Sequence, residues 1–280
     1  MDSSKSFDRL APAAPAKQPP RFADRSRFRG YRGGVIAMHR ALARFVLEPL
    51  DLVTAALLVL VLTFAWIVAL PWLCRFWQTV LETGMRMLAI DSGLGLTEHQ
   101  ITPYIRFAIP YPRMLGILPD ARTWWSATAV VIVVFAASFF FPKKLMPVMY
   151  LMRGVLFIQV TAQLFFLFLP ARFSHSPDSY MEGLTGYAIG IISFVPILFG
   201  LTYYIFDFGI VRKAFLTIIT MGHLSLFLPV QILLQAIVLQ KSVLFMPILY
   251  IVFGLQLEIL IILSFYSWGM SWSFKSERAK

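Results

Sequence analysis

Charged residues are scarce in this sequence, and cysteine is almost missing. Charged residues make up 14% of the 280 residues, against about 25% in an ordinary soluble domain. Hydrophobic residues make up 59%, and the mean hydropathy is +0.74. The single cysteine, Cys74, excludes a disulfide framework and a zinc site built from cysteines. This composition excludes a soluble globular domain, a disordered chain and a fibrous repeat.

Motifs of catalysis and metal binding are also missing. The sequence contains no glycine-rich phosphate loop, no dinucleotide fingerprint and no HExxH helix. Residues 207–209 spell the metal-binding tripeptide of kinases, but none of the accompanying kinase elements is present. The four histidines are scattered, and no two of them share a helix at ligand spacing. We therefore predict no catalytic residue, no metal and no cofactor, and the sequence favours a non-enzymatic protein without excluding an enzyme.

The sequence is instead dominated by long apolar segments. A helix needs about 20 apolar residues to cross a hydrocarbon core of about 30 Å, and such runs recur along the chain. The sequence predicts an all-α, polytopic integral membrane protein with six transmembrane helices. The predicted spans are Leu52–Trp72, Thr123–Phe141, Leu145–Leu169, Leu184–Phe206, Ala214–Leu239 and Val243–Trp268.

The distribution of basic residues predicts the orientation of these spans. Ten of the 25 Lys and Arg residues lie in residues 1–50, and the loops on the same predicted side add seven more. The opposite side carries seven, and Arg153 lies within a span. Because basic residues concentrate on the cytoplasmic side, both termini are predicted to be cytoplasmic. The net charge of +11 is explained by this arrangement, so no nucleic-acid partner is expected.

Outside the bundle of residues 51–268, the sequence predicts three further regions. Residues 1–34 are polar and rich in Pro, Ala, Ser and Arg, which predicts a disordered basic cytoplasmic tail. Residues 35–50 predict an amphipathic helix that presents Arg40 and Arg44 to anionic membrane lipids or packs on the protein's own cytoplasmic side. Residues 269–280 predict a cytoplasmic C-terminal tail.

The longest loop of the bundle is the predicted outer loop, residues 73–122. Its first part, Phe76–Ile90, has the composition of a helix lying flat on the outer membrane surface. Ile101–Pro112 contains three prolines, which exclude a regular helix and favour an extended path. Two interpretations remain open for that segment. It folds over the outer mouth of the bundle, or it is a strand that docks a partner through residues such as Tyr104 and Phe107.

Three ionisable residues lie within the predicted spans, where a charge costs about 2.5–3.5 kcal/mol to insert. Residue counts from the nearest loops place Arg153, His223 and Glu258 in one layer on the cytoplasmic side of the midplane. We predict that Arg153 and Glu258 form an ion pair or share a polar cavity, with His223 nearby. The cluster is a structural network, or a site for substrate, lipid headgroup or protons, or a set of independent positions.

Glutamines extend this predicted intramembrane polar cluster. Gln231 and Gln235 share a face with His223 on the fifth span, and the third span adds Gln159 and Gln163. Such amides either join helices by hydrogen bonds or line a hydrated pathway.

The function expected from the sequence is a non-enzymatic subunit of an envelope transport or assembly complex in a bacterial inner membrane. Its expected partners are membrane lipids and other membrane-protein subunits. Two alternatives remain open. One is a small secondary transporter of a proton-coupled or amphiphilic solute, and the other is a membrane-embedded lipid-modifying enzyme.

Overall fold

A computed structural model describes residues 28–29, 35–36, 49–90, 92–142, 145–203 and 209–277. In the N-terminal unit, strand β1 (Phe28–Arg29) pairs antiparallel with strand β2 (Val35–Ile36). Val35 and Ile36 were predicted to begin the interfacial helix, and they lie in a strand instead, as suits β-branched residues. The other residues of the predicted tail and interfacial helix, among them Arg40 and Arg44, lie outside the described residues up to Pro49.

The first long helix, α1 (Pro49–Met87), has 39 residues and is therefore about 58 Å long. The prediction that the first span ends at Trp72 and that Phe76–Ile90 lies flat is wrong, because one continuous helix covers both. Its second half is held by packing, since Trp77 and Leu81 are fully buried in the core. The helix ends before Ala89, which has a φ of 50° in the left-handed region.

Four more long helices follow, and their bounds differ from the predicted spans mainly at the N-termini. The fourth begins seven residues before the predicted Leu184, because the Ser176 side chain caps it and Pro177 occupies the first turn. The helices are α2 (Ala121–Ala137, continued by a 3-10 turn Ser138–Phe140), α3 (Met146–Phe168), α4 (Pro177–Thr202) and α5 (Ile210–Lys241).

The sixth apolar segment is interrupted. After a 3-10 turn (Val243–Phe245), helix α6 (Met246–Val252) stops, Phe253 and Gly254 are not helical, and helix α7 (Leu255–Glu277) begins. The prediction of one uninterrupted helix over Val243–Trp268 is wrong in this respect. Only glycine fits at the interruption, since a Cβ on Gly254 would overlap the carbonyl oxygen of Tyr250.

The predicted outer loop forms a β-hairpin. Strand β3 (Leu94–Thr102) pairs antiparallel with β4 (Ile105–Pro112), and Leu94 stands opposite Pro112. The extended path predicted for Ile101–Pro112 is thus found, with a turn at residues 103–104. Strand β4 packs against α4, and the Thr97 hydroxyl donates to Glu182 Oε1 on α4 over 2.8 Å. The hairpin therefore covers one end of the bundle, called here the hairpin end.

Helix α5 is the centre of the bundle. It packs against α4 and α7, and Leu216, Leu224, Ala236 and Leu239 along it have less than 1% of their surface exposed. Helices α2 and α3 form an antiparallel pair in which Trp124 Nε1 donates to the Gln163 carbonyl oxygen over 3.1 Å, and α3 also packs against α6. Six segments, with α6 and α7 counted as one, are long and apolar enough to cross a membrane, as predicted.

Candidate binding site at the interrupted sixth segment

A cavity of about 690 Å³ lies between α4 and the interrupted α6–α7 segment. Its volume falls within the range of small-molecule sites, roughly 300–1,000 Å³. Four aromatic residues and four polar residues contribute to its wall, and the rest is aliphatic. The aromatic residues are Phe173, Tyr180, Tyr187 and Tyr250, and the polar residues are His175, Ser179, Gln256 and Glu258.

The interruption leaves the Phe253 carbonyl group without a helical donor. The N–H that would serve it belongs to Leu257, which donates to the Gly254 carbonyl oxygen over 3.1 Å instead. The side-chain amides of Gln231 and Gln235 on α5 donate to the Phe253 oxygen, the second over 3.1 Å. In an apolar surrounding such a carbonyl requires a partner. The two glutamines therefore share one face of α5, and they bind the interrupted segment to the central helix.

Tyr180 connects the cavity to this interruption. Its hydroxyl donates to Gln235 Oε1, and its ring centroid lies 6.4 Å from that of Tyr250 across the cavity. A continuous chain of hydrogen bonds therefore runs from the cavity wall through Gln235 to the Phe253 carbonyl.

Glu258 is the acidic residue of the site. It lies in the first turn of α7, lines the cavity and has only 2% of its surface exposed. Within the described part of the chain, no hydrogen bond or ion pair joins its carboxylate to another residue. The N-terminus of a helix favours a negative charge in its first turn, which suits this position. The carboxylate is thus buried from bulk solvent but open to the cavity.

Arg153 does not share this cavity. Its Nε donates to the Ser138 hydroxyl over 3.1 Å, and its guanidinium carbon lies 4.7 Å from the ring centroid of Phe139. These contacts place Arg153 on the pair α2–α3. The expected ion pair with Glu258 is therefore not formed.

His223 is also separate from Glu258. Its ring lies 5.9 Å from that of Phe227 and 5.2 Å from that of Phe265 on α7. Phe265 is seven residues beyond Glu258, which is about two helical turns or 10 Å. The predicted layer of three ionisable groups does not form, because its depths were counted along an uninterrupted sixth helix.

The interruption changes the depth of Glu258 in the bundle. Phe253 is eleven residues beyond Ser242, yet it lies beside Gln235, only seven residues before Ser242. Helix α6 therefore runs obliquely, and Glu258 lies nearer the hairpin end than a straight helix would place it.

The two glutamines of α3 are apart from those of α5. Gln159 and Gln163 are 3% and 4% exposed on the α3 face that packs against α6 and the turn before it. Among the described residues, both amide atoms of Gln159 and Nε2 of Gln163 have no hydrogen-bond partner. The four glutamines thus form two sets.

The two predicted partner residues lie on the hairpin. Tyr104 is at its turn and is 95% exposed, whereas Phe107 is half-buried, packs against the core and stacks on His99 at 5.9 Å. Only Tyr104 is therefore free to reach a partner.

An apolar groove of about 700 Å³ continues from the cavity along α4 and α7. Tyr187, Ile191 and Leu255 line both spaces, so the cavity and the groove adjoin at these three residues. Its other lining residues are Gly190, Phe194, Leu198, Phe199, Thr202, Ile259, Ile262, Leu263 and Tyr266.

Sequence reasoning missed the tyrosines and Gly254. Tyr180 and Tyr187 are seven residues apart on α4, a spacing that places them on one helix face. Gly254 precedes two polar residues, Gln256 and Glu258, within an apolar run. Both signals were available, but the sequence does not show that these two segments face each other.

No family model, no curated protein and no solved structure matches this chain. Within the described residues, no group of three or more His, Cys, Asp or Glu side chains is placed to hold a metal ion. The class of the protein rests on its own fold. Six candidate membrane-spanning segments suggest a multi-pass membrane protein.

Proposed function

We propose that this chain is a small secondary transporter that takes an amphiphilic solute into the cavity beside the interrupted sixth segment. The observation that carries the proposal is the juxtaposition of a helix interruption, a cavity and a buried carboxylate, all at Gly254–Glu258. Transporters commonly bind their substrates at interrupted membrane helices, where irregular backbone lines a cavity.

The wall of the cavity suits an amphiphile. Aromatic rings and aliphatic side chains form most of it, and Glu258 is one of a small number of polar residues in it. The non-helical pair Phe253–Gly254 lets α6 and α7 change their relative angle, since hinges are short segments at the ends of helices. Movement of α6 against α4 would open the cavity, and we expect Tyr250 on α6 to move away from Tyr180 on α4 when it does.

The geometry favours binding over covalent catalysis. Ser179 is the serine that lines the cavity, and it is therefore the candidate nucleophile. Its Oγ donates to the Ser176 carbonyl oxygen over 2.9 Å and not to a base. A nucleophile held by a neighbouring base is the usual sign of a hydrolase or transferase site. The lipid-modifying enzyme is therefore the weaker alternative.

A subunit role in an envelope complex remains a second candidate, and the surface of α1 favours it. Few residues of this helix are buried in the bundle, and Phe64 and Trp72 are 69% and 73% exposed. Helices of this kind are covered by lipid or by a neighbouring membrane protein. The exposed Tyr104 at the hairpin turn would extend such an interface beyond the membrane.

We further propose that the membrane is the bacterial inner membrane, with both termini in the cytoplasm and the hairpin outside. A cysteine at position 104 tests this orientation, because Cys74 is the only native cysteine and is buried. A membrane-impermeant maleimide added to whole spheroplasts should label Tyr104→Cys. Labelling only after the cells are opened would reverse the orientation.

Two glycines of α4 provide a matched test of transport. Gly183 lines the cavity, whereas Gly186 does not, and a Cβ at either position meets no atom within 4 Å. Gly183→Leu should fill the cavity while Gly186→Leu leaves it open. We expect proteoliposomes to take up radiolabelled decyl amphiphiles faster than protein-free vesicles, and Gly183→Leu alone should abolish the difference. Uptake no faster than in protein-free vesicles would refute the transporter.

A further inference from the structure

We propose that the solute carries an ammonium group beside Glu258 and an alkyl chain in the apolar groove. The inference rests on the proposed function, because it names the substrate class of the same cavity.

The charge of the cavity calls for a cation. Glu258 is its one carboxylate, no lysine or arginine lines it, and Arg153 is engaged elsewhere. A carboxylate in a membrane is costly unless it is paired, and among the described residues neither His175, which lines the same cavity, nor any other basic side chain forms an ion pair with Glu258. A cationic head group of the solute would complete the pair.

The aromatic wall favours an ammonium group over a metal ion. The rings of Tyr180 and Tyr250 are inclined at 56° with their centroids 6.4 Å apart, and Tyr187 lies two turns further along α4. Aromatic faces attract organic cations, and aromatic cages are the usual site for alkylated ammonium groups. Tyr180 is close enough to Glu258 for the two side chains to interact electrostatically.

The groove accounts for the rest of the molecule. It follows α4 from Tyr187 to Thr202, which is 15 residues or about 22 Å. Its wall is almost entirely apolar, so it offers no partner to a second head group. The junction at Tyr187, Ile191 and Leu255 is where the head group would meet its chain.

The experiment measures binding of three decyl amphiphiles to the full chain in nanodiscs. The probes are decyltrimethylammonium, decyl maltoside and decyl sulfate, which share one chain and differ in head-group charge. We expect the ammonium probe to bind at least about tenfold more tightly than the other two. Glu258→Gln should remove that preference, whereas Glu98→Gln, the same charge change on the exposed hairpin, should keep it.

A second pair of variants tests the groove. A Cβ at Gly190, which lines the groove, meets no atom within 4 Å, so Gly190→Leu should fill the groove without disturbing the helix. It should weaken decyltrimethylammonium severalfold and leave tetramethylammonium unchanged. Equal weakening of both probes would overturn the assignment of the chain to the groove.

The outcomes separate this inference from the proposed function. If all three probes bind equally and Gly183→Leu abolishes their binding, the cavity binds amphiphiles and the cation preference is wrong. If none binds to the wild-type chain, or if binding is the same in Gly183→Leu, both proposals fail. Retention of the ammonium preference in Glu258→Gln would overturn the role of that carboxylate.

Discussion

The indole of Trp77 on α1 donates a hydrogen bond to the backbone carbonyl of Ser225 on α5 over 2.8 Å. Within α5 that carbonyl would accept from residue 229, but residue 229 is proline and has no N–H. Trp77 therefore supplies the hydrogen bond that Pro229 cannot. This contact joins residues 148 positions apart and holds the extended half of α1 against the centre of the bundle.

Removing this donor should destabilise the protein. Trp77→Phe leaves the Ser225 carbonyl buried without a partner, which costs about 1–3 kcal/mol. We expect a lower midpoint in thermal unfolding in detergent. Trp72→Phe is the control and should have little effect, because Trp72 is 73% exposed.

The same contact predicts a rescue. Pro229→Ala restores an N–H at position 229, so it should recover part of the loss caused by Trp77→Phe. In the wild-type background the same substitution should gain less. Equal effects of Pro229→Ala in both backgrounds would show that the indole does not act through Ser225.

The glutamines at the interruption should behave as a coupled pair. Either one alone can serve the Phe253 carbonyl, so Gln231→Leu should cost little, near the average of about 0.6 kcal/mol for a membrane hydrogen bond. The double variant Gln231→Leu/Gln235→Leu leaves the Phe253 carbonyl without a donor. Its loss of unfolding free energy should exceed the sum of the losses in the two single variants. A double-mutant cycle measured by unfolding in bicelles gives this coupling.

Gln159→Leu is the matched control for that cycle. Its amide is buried without a partner, so replacing it with an apolar side chain removes a cost and breaks no bond. We expect it to be neutral or stabilising. A loss as large as that of the double variant would mean that burial, and not the Phe253 contact, decides the effect.

Gly254 is the position where a methyl group should be least tolerated. Gly254→Ala places its Cβ against the Tyr250 backbone carbonyl, and overpacking of this kind costs about 1–3 kcal/mol. Gly222→Ala on α5 meets no atom within 4 Å and should be neutral or stabilising. Thermal unfolding of the two variants, with binding of decyltrimethylammonium as a second readout, distinguishes them. Similar behaviour of both variants would contradict the interruption.

Arg153 and Glu258 should act independently. Because Arg153 contacts Ser138 and Phe139 on the α2–α3 pair, its substitution by methionine should leave the effect of Glu258→Gln unchanged. Effects on stability should add within about 0.5 kcal/mol. A larger coupling would indicate that Arg153 and Glu258 do form the ion pair predicted from the sequence.

The start of α2 should depend on pH through Asp120. Hydrogen bonds from the side chain and backbone N–H of Thr123 hold the pKa of Asp120 below its ordinary value. The stabilisation is therefore present above the unfolded-state pKa, about 3.9, and is lost as the pH falls through the lower folded-state pKa. Amide exchange at the first turn of α2 should show protection that disappears in acid. Asp120→Asn, which still caps the helix, should show protection independent of pH.

The sequence by itself determined that the fold consists of long apolar helices, and it determined much of their order along the chain. Apolar segments longer than a bilayer needs predicted six long helices, and hydropathy alone decides this because a helix satisfies its own backbone. The prolines of Ile101–Pro112 predicted an extended path, and the spacing of Gln231 and Gln235 predicted their common face. These features depend on neighbours within one element.

The tertiary structure decided what depends on contacts between elements. The sequence treats Val243–Trp268 as one span, whereas the Gln231 and Gln235 amides accommodate its interruption from another helix. Contacts with different helices likewise separated Arg153 and His223 from Glu258, although residue counts in the sequence give the three a similar depth. Periodicity gives the faces of a helix, but packing against its neighbours decides which face meets which. That pairing brought Tyr180 to Gln235 and left the Glu258 carboxylate beside an open cavity.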